Sequence, residues 1–390
     1  MLRKSCTSLT RAMPPAARLS GLGTTIFTEM TALAVRTGAI NLGQGFPDTD
    51  GPTAVIEAAV AALRGGENQY APLPGVPALR EAIFEHQRRW YGLEPEDALV
   101  TFGATEAIAS AVMGLCDPGD EVVVFEPSYD SYTACVAFAG ATPRFVTLRP
   151  PDFALDPDAL RAAIEGGRGR VRAVLLNTPH NPTGRVLSRD EIQVVADACI
   201  EHDLVCITDE VYEHLVFDGE HIPPATLPGM AQRTLTISSV GKSFSVTGWK
   251  IGWCSGPAEL VAAARTVKQF LTFAGGTPLQ HAAAAALRLP RAELDALRDG
   301  LRARRDELCD GLAAAGLAPL VPAGTYFINA DVGTDAAEWC SSLPERCGIV
   351  AIPTSVFYDD KEAAPTLVRF AFCKRPEVIA EAASRLASLA

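Results

Sequence analysis

Two lysines mark where this chain could do covalent chemistry. Lys242 lies in the small-residue segment Val240-Gly241-Lys242-Ser243, directly after the apolar run "RTLTISS" (233–239). Lys250 opens another such run, "KIGWCSG" (250–256). A lysine at the end of a core strand is either solvated at the sheet edge or engaged with a ligand. Desolvated beside other cations, its amine loses proton affinity and becomes nucleophilic. The run "DLVCITD" (203–209) ends on Asp209, with Glu210, Val211 and Tyr212 following. A carboxylate there is costly to bury unless a cation pairs with it, and helix N-capping is the ordinary alternative. After "VRAVLLN" (171–177) come Thr178, Pro179, His180, Asn181, Pro182, Thr183 and Gly184. Two prolines and a glycine fix that loop and present Asn181 rigidly, to a ligand or merely within a stiff turn; His180 reads as a local packing or hydrogen-bonding residue.

Two further runs end the same way. "EVVVFE" (121–126) precedes Pro127-Ser128-Tyr129-Asp130, where Tyr129 either stacks on a planar ligand or packs in the core. "ALVTF" (98–102) precedes Gly103-Ala104-Thr105-Glu106 at the start of a helical pattern. Small residues there let backbone N–H groups approach an anion, although tight strand-to-helix turns use small residues anyway. Together these signals describe an anion cradle, an aromatic plate, a fixed asparagine, a carboxylate, a tyrosine and two lysines. The set suits a planar, phosphorylated, cationic heterocycle bearing an aldehyde, the groups of pyridoxal 5′-phosphate.

The elements that must hold these residues follow from periodicity. Near-continuous apolar runs of this length fit strands buried on both faces, and ligands of such sheets bind beyond the strands' carboxyl ends. Helical segments alternate with them, including 105–116 and 188–202, the latter opened by a Ser188…Glu191 capping box. Alternation of strand and helix predicts an α/β fold with a mostly parallel sheet between helices. Beyond about residue 285 the texture changes. A long Ala, Leu and Arg-rich helical stretch runs from near His281 to Ala315, broken around Pro290. The strand-like pieces "TYFINAD" and "LVRFAF" and a last helix follow, which reads as a smaller α+β domain.

Composition sets the outer limits. The 390 residues, 48% hydrophobic and 21% charged, supply a large core and exclude a mainly disordered chain. A net charge of −12 argues against a general nucleic-acid binder and against a polybasic membrane surface. No run approaches the length of a membrane span. The ten cysteines include no Cys-x-x-Cys pair, so no metal or redox motif is expected, and they read as buried thiols of a reducing, cytoplasmic protein. Arg3, Lys4, Arg11 and Arg18 precede the first acidic residue, Glu29. That bias is similar to an organellar presequence, with a loose N-terminal extension as the plainer reading.

The ordered motifs resemble the class I/II aminotransferases of fold type I, which depend on pyridoxal 5′-phosphate. The likeness is nearest to the kynurenine, glutamine and methionine aminotransferase group and to actinobacterial N-succinyldiaminopimelate aminotransferases. Its carriers are "NLGQGFPD" (41–48), "NQY" (68–70), "GATEAI" (103–108), "NTPHNPTG" (177–184), "ITDEVYEHLVFD" (207–218), "SSVGKSFSVTGWKIGW" (238–253) and "LVRFAF" (367–372). The resemblance implies a seven-stranded, mostly parallel sheet in a large domain over 46–285. A smaller domain over 286–390 and an N-terminal extension and arm over 1–45 complete it. It implies Lys242 as the Schiff-base lysine and Asp209 as partner of the pyridine nitrogen. Asn181 and Tyr212 would sit at the phenolic oxygen, Tyr129 over the ring, and Ala104, Thr105, Ser239 and Lys250 around the phosphate.

The same resemblance implies that Tyr70 reaches the phosphate of a neighbouring subunit, hence a homodimer with shared active sites. It implies Arg369 as the clamp on the substrate carboxylate, with Gly45 and Phe27 lining the substrate pocket. The implied reaction moves an amino group from an L-amino acid to a 2-oxo acid by a ping-pong mechanism. β-Elimination from cysteine S-conjugates, or transamination of N-succinyldiaminopimelate, are the alternatives on the same scaffold. The stretch "FYDDKEAAPTLVR" (357–369) is shorter than expected for the succinyldiaminopimelate type, and the sequence offers no second arginine for a distal carboxylate. A PLP-binding regulator is disfavoured because the chain is acidic and leaves no room for a DNA-binding domain. A nicotinamide dehydrogenase is disfavoured because no Gly-x-Gly-x-x-Gly follows the first strand.

Overall fold

Period-2 burial on both faces builds the central sheet. Its strands are β1 (Asp97–Thr101), β2 (Glu121–Glu126), β3 (Thr142–Thr147), β4 (Val171–Asn177), β5 (Val205–Asp209), β6 (Thr234–Ser239) and β7 (Gly252–Gly256). They lie in the order β1-β7-β6-β5-β4-β2-β3. β7 runs antiparallel to β1 and β6, and every other pairing is parallel. Alternate residues of one strand enter different cores. Val123, Phe125, Val174 and Leu176 pack on one side, while Val122, Val124, Ala173 and Leu175 pack on the other. That is why the strands read as unbroken apolar runs. The computed structural model describes residues 16–19, 23 and 25–389, so Arg3, Lys4 and Arg11 of the basic N-terminal bias lie outside the described residues.

The strand missing from the sequence reading is β3, "TPRFVT", which pairs only with β2 at the sheet edge and is half-exposed. The capping box is present: Ser188 accepts from the Glu191 amide, and the Glu191 side chain accepts from the Ser188 amide. The helical stretch after residue 276 is two helices. Thr277–Leu287 packs on Thr53–Arg64 and Pro77–Tyr91, whereas Arg291–Ala314 packs on Pro376–Ala387. The break falls at Leu289–Pro290, where proline cannot continue the first helix.

A second, antiparallel sheet contains β8 (Ala318–Leu320), β9 (Phe327–Asp331), β10 (Ile352–Pro353) and β11 (Leu367–Ala371), in the order β10-β11-β9-β8. Its core joins Phe370 and Ile328 to Leu308 and Leu312, and takes in Leu42 from the N-terminal arm and Tyr212 and Leu215 from the turn after β5. Ile40–Asn41 pairs in parallel with Ile349–Val350. The arm and the post-β5 turn therefore tie the two sheets together beside the carboxyl ends of β4–β6. Among the described residues no helix is long and apolar enough to cross a membrane, and the nine cysteines are unbridged.

Candidate active site

The carboxyl ends of the central strands open into a cavity of about 120 Å³. Its anion-binding end is the first turn of the helix Gly103–Leu115. Gly103 enters that helix at φ +73°, a conformation that favours glycine. Glu106 accepts from the Phe102 amide at 2.6 Å, closing the turn and leaving the Ala104 and Thr105 amides to the cavity. Ser239, at the end of β6, and Lys250 complete this end. The Lys250 ammonium stands 3.3 Å from where a Cβ on Gly103 would sit. Four donors of this kind around a helix N-terminus make a phosphate-sized anion site.

The reactive end gathers the ionisable groups. Lys242 projects from the one-turn helix Val240–Ser243 after β6. Desolvation pushes its pKa down, and Lys250 and Arg369 add to that while Cys373 and Asp209 oppose it. Asp209, the last residue of β5, is buried. No helix follows it, so its role is not that of a cap: Oδ1 accepts weakly from the Val211 amide at 3.3 Å, and Oδ2 accepts from the Tyr132 hydroxyl at 2.7 Å. Burial pushes its pKa up to about 6, against the pull of these hydrogen bonds and of Lys242. A buried carboxylate so destabilised is matched to a cation on whatever fills the cavity. The Tyr212 ring meets Tyr326 edge-on at 5.3 Å, and burial raises the Tyr212 pKa. Tyr129 forms the wall beside Thr105 and meets Tyr132 at a right angle, with ring centroids 5.7 Å apart.

Arg369 sits in the centre of β11, opposite Asn329 on β9. It is 1% exposed, and among the described residues no carboxylate forms an ion pair with it. Its Nη1 donates to Asn181 Oδ1 at 3.1 Å and its Nη2 to the Gly43 carbonyl at 2.9 Å. The rings of Phe327, Phe357 and Phe27 surround the guanidinium at 4.1, 4.5 and 5.5 Å. Burial pushes its pKa down to about 10. An arginine with spare donors inside an aromatic box can receive a carboxylate. Gly45 serves this side indirectly. Its carbonyl accepts from the Tyr326 hydroxyl at 2.7 Å, and a Cβ there would lie 2.4 Å from the Phe327 ring.

Beyond Tyr129 and Thr105 the site widens into a vestibule of about 950 Å³, lined in part by Phe27, Phe357, Asp130, Asp359 and Lys361. Among the described residues lining it there is no arginine, and the Lys361 ammonium is already bonded to the Tyr358 and Val356 carbonyls. Nine residues picked out in the sequence thus line one cavity: Ala104, Thr105, Tyr129, Asn181, Asp209, Tyr212, Ser239, Lys242 and Lys250. Arg369 joins it through Asn181, and Phe27 lines the vestibule. Tyr70 does not enter this cavity; it is 80% exposed with its ring against Phe273.

The sequence reading missed three residues. Asn177 lines the cavity, donates to the Asp209 carbonyl at 2.7 Å and accepts from the Asn181 amide at 2.7 Å, locking two functional segments together. Its position at the end of β4, one strand over from Asp209, was the available signal. Tyr132 lies one helical turn past Tyr129. Tyr326 stands in the turn just before β9, its ring centroid 5.9 Å from the Lys242 ammonium, and carries no local signal.

A family model for aminotransferases of class I and II matches residues 37–386. A probable N-succinyldiaminopimelate aminotransferase of Mycobacterium tuberculosis is 51% identical, over 96% of this chain and 98% of its own length. The methionine aminotransferase of Escherichia coli is 42% identical over the same shares. Among solved structures, the N-succinyldiaminopimelate aminotransferase from Mycobacterium tuberculosis superposes with a TM-score of 0.94 at 51% identity, covering 97% of this chain and all of the other. An aspartate aminotransferase from Thermus thermophilus with maleate gives a TM-score of 0.89 at 34% identity, covering 97% and all.

Proposed function

Because the chain belongs to the class I and II aminotransferases, we propose that its cavity holds pyridoxal 5′-phosphate and moves an amino group from a long-chain L-amino acid to a 2-oxo acid. The observation that carries this reading is the convergence of a desolvated lysine, an under-compensated buried carboxylate and a helix N-terminus on one cavity. These residues fit the cofactor. The Ala104 and Thr105 amides with Ser239 and Lys250 suit its phosphate, Asp209 its ring nitrogen, Tyr129 its ring face, and Asn181 and Tyr212 its phenolic oxygen. Once bound, the cofactor supplies an electron sink for the pair left when the substrate's Cα–H bond breaks.

The protein's own part is orientation and proton transfer. Arg369 grips the substrate carboxylate in a two-pronged contact and so fixes where Cα–H points. The Lys242 amine, its proton affinity lowered by desolvation, takes that proton and returns it. Phe27, Phe327 and Phe357 keep water from the guanidinium. The vestibule's volume supports a long substrate side chain, and its relatives supply the donors to try first: N-succinyldiaminopimelate, methionine and kynurenine.

We further propose a homodimer in which Tyr70 completes the neighbour's phosphate site, and domain limits at 45/46 and 285/286. The unbridged, mostly buried thiols support a cytoplasmic location. The test is a half-reaction. Each donor alone, added to cofactor-loaded protein, should bleach the aldehyde form and release its 2-oxo acid stoichiometrically. Lys242→Ala should lower turnover by ~10²-fold or more while the protein stays folded. If no donor bleaches the wild type, the reading fails.

A further inference from the structure

Behind Asp209, away from the cavity, lies a polar cluster that the proposed reaction does not use. Three of the chain's six histidines, His86, His214 and His221, are buried or half-buried there with Glu210 and Glu213. His86 Nε2 and His214 Nε2 point at each other across 2.8 Å, and Glu213 Oε2 is 3.8 Å from His86 Nε2. Glu213 is held in place by the Tyr91 hydroxyl, which donates to Oε2 at 2.7 Å, and by the Ser238 hydroxyl, which donates to Oε1 at 2.5 Å.

Glu210 is fully buried and meets His221 Nε2 at 2.7 Å, whereas Glu213 is 3% exposed and among the described residues is paired with no lysine or arginine. A buried carboxylate with only neutral hydroxyl donors still favours a nearby cation, and two ring nitrogens aimed at one another share a single proton.

We infer that His86, His214 and Glu213 form a binding site for one divalent metal ion of the zinc class. One ligand atom from each of the three lies within 4.8 Å of the others. Ligands about 2.0–2.1 Å from a tetrahedral ion stand roughly 3.3 Å apart. The two nitrogens would open by about half an ångström, and Glu213 Oε2 would close on His86 Nε2 by about as much. Two imidazoles and a carboxylate match zinc's preference, and the three protein ligands leave one position for water. Tyr91 and Ser238 supply the outer hydrogen bonds that orient a ligating carboxylate. The ion would clasp the helix Pro77–Tyr91 to the turn that follows Asp209 and carries Tyr212, stiffening the back of the catalytic cavity.

The test is metal content and Co²⁺ uptake of the tag-free holoenzyme. Elemental analysis after incubation with Zn²⁺ and desalting should give one ion per chain. Co²⁺ should give the visible ligand-field bands of a four-coordinate site. Both should be lost in His86→Ala and in Glu213→Gln; the latter keeps nearly the same shape and therefore the fold. The wild type's melting temperature should rise with added Zn²⁺ and that of Glu213→Gln should not. A wild type that takes up neither ion, or variants that bind as much as the wild type, would overturn the site and leave a plain hydrogen-bonded histidine pair.

Discussion

At the scale of single residues, the site is governed by desolvation. Asp209, Lys242 and Arg369 are each pushed towards their neutral forms, and in the proposed complex Asp209 and Arg369 would each meet a complementary charge on a ligand. For Asp209 this has a measurable consequence in the cofactor-free protein. Its folded pKa, about 6, is above the unfolded value of 3.8. Its contribution to stability is therefore full below about pH 4 and is lost as pH rises through 6. Asp209→Asn removes the buried charge. The cofactor-free variant should be more stable than wild type at pH 8, by at most about 3 kcal/mol, and should show no such advantage at pH 4. Thermal melts at the two pH values measure it; an equal difference at both would place the cause elsewhere than ionisation. The residues legible in the sequence were those standing at strand ends in runs of small or turn-forming neighbours. Arg369 stood out only through the resemblance, because the box of Phe27, Phe327 and Phe357 around its guanidinium is drawn from distant parts of the chain. Tyr326 escaped because its neighbour Lys242 lies far away in the sequence, on the one-turn helix after β6.

At the scale of elements, the cradle depends on how closely β7 passes the helix that opens at Gly103. A Cβ built on Gly252 would lie 2.6 Å from the Gly103 carbonyl carbon and 2.8 Å from the Ala104 nitrogen, both backbone atoms that cannot swing aside. Gly252→Ala should therefore push the helix N-terminus out of line and weaken cofactor binding at least tenfold, with about 1–3 kcal/mol lost from overpacking. Gly248→Ala, which meets nothing within 4 Å, is the matched control and should bind normally. Equilibrium dialysis of the cofactor separates the two, and equal affinities would show that the cradle does not depend on this approach. The elements themselves were largely readable. Strands buried on both faces announce themselves as apolar runs, and Ser188 with Glu191 marks a helix start. β3 was not readable, since an edge strand with Thr142, Pro143 and Arg144 has no unbroken apolar run. The antiparallel direction of β7 was equally hidden, because strand direction follows from the connection made and not from the strand's own residues.

At the scale of the whole molecule, the proposed homodimer has a candidate contact surface. Tyr70, Phe270 and Leu271 are 80%, 82% and 56% exposed, and the Tyr70 ring lies against Phe273 at 5.6 Å. Thr277 fastens the two segments by donating to the Gln69 carbonyl at 2.7 Å. Such apolar side chains on neighbouring segments form a surface that association would cover. If a second copy covers it, the aromatic patch gives affinity, and the Tyr70 hydroxyl is carried towards the neighbour's phosphate cradle. The two roles separate by mutation. Phe270→Asp should yield single chains by light scattering and weaken cofactor binding with them. Tyr70→Phe should remain dimeric yet bind the cofactor about 10- to 100-fold more weakly, the loss of a hydrogen bond to a charged group. A single-chain Phe270→Asp variant with undiminished cofactor affinity would mean that each subunit completes its own site.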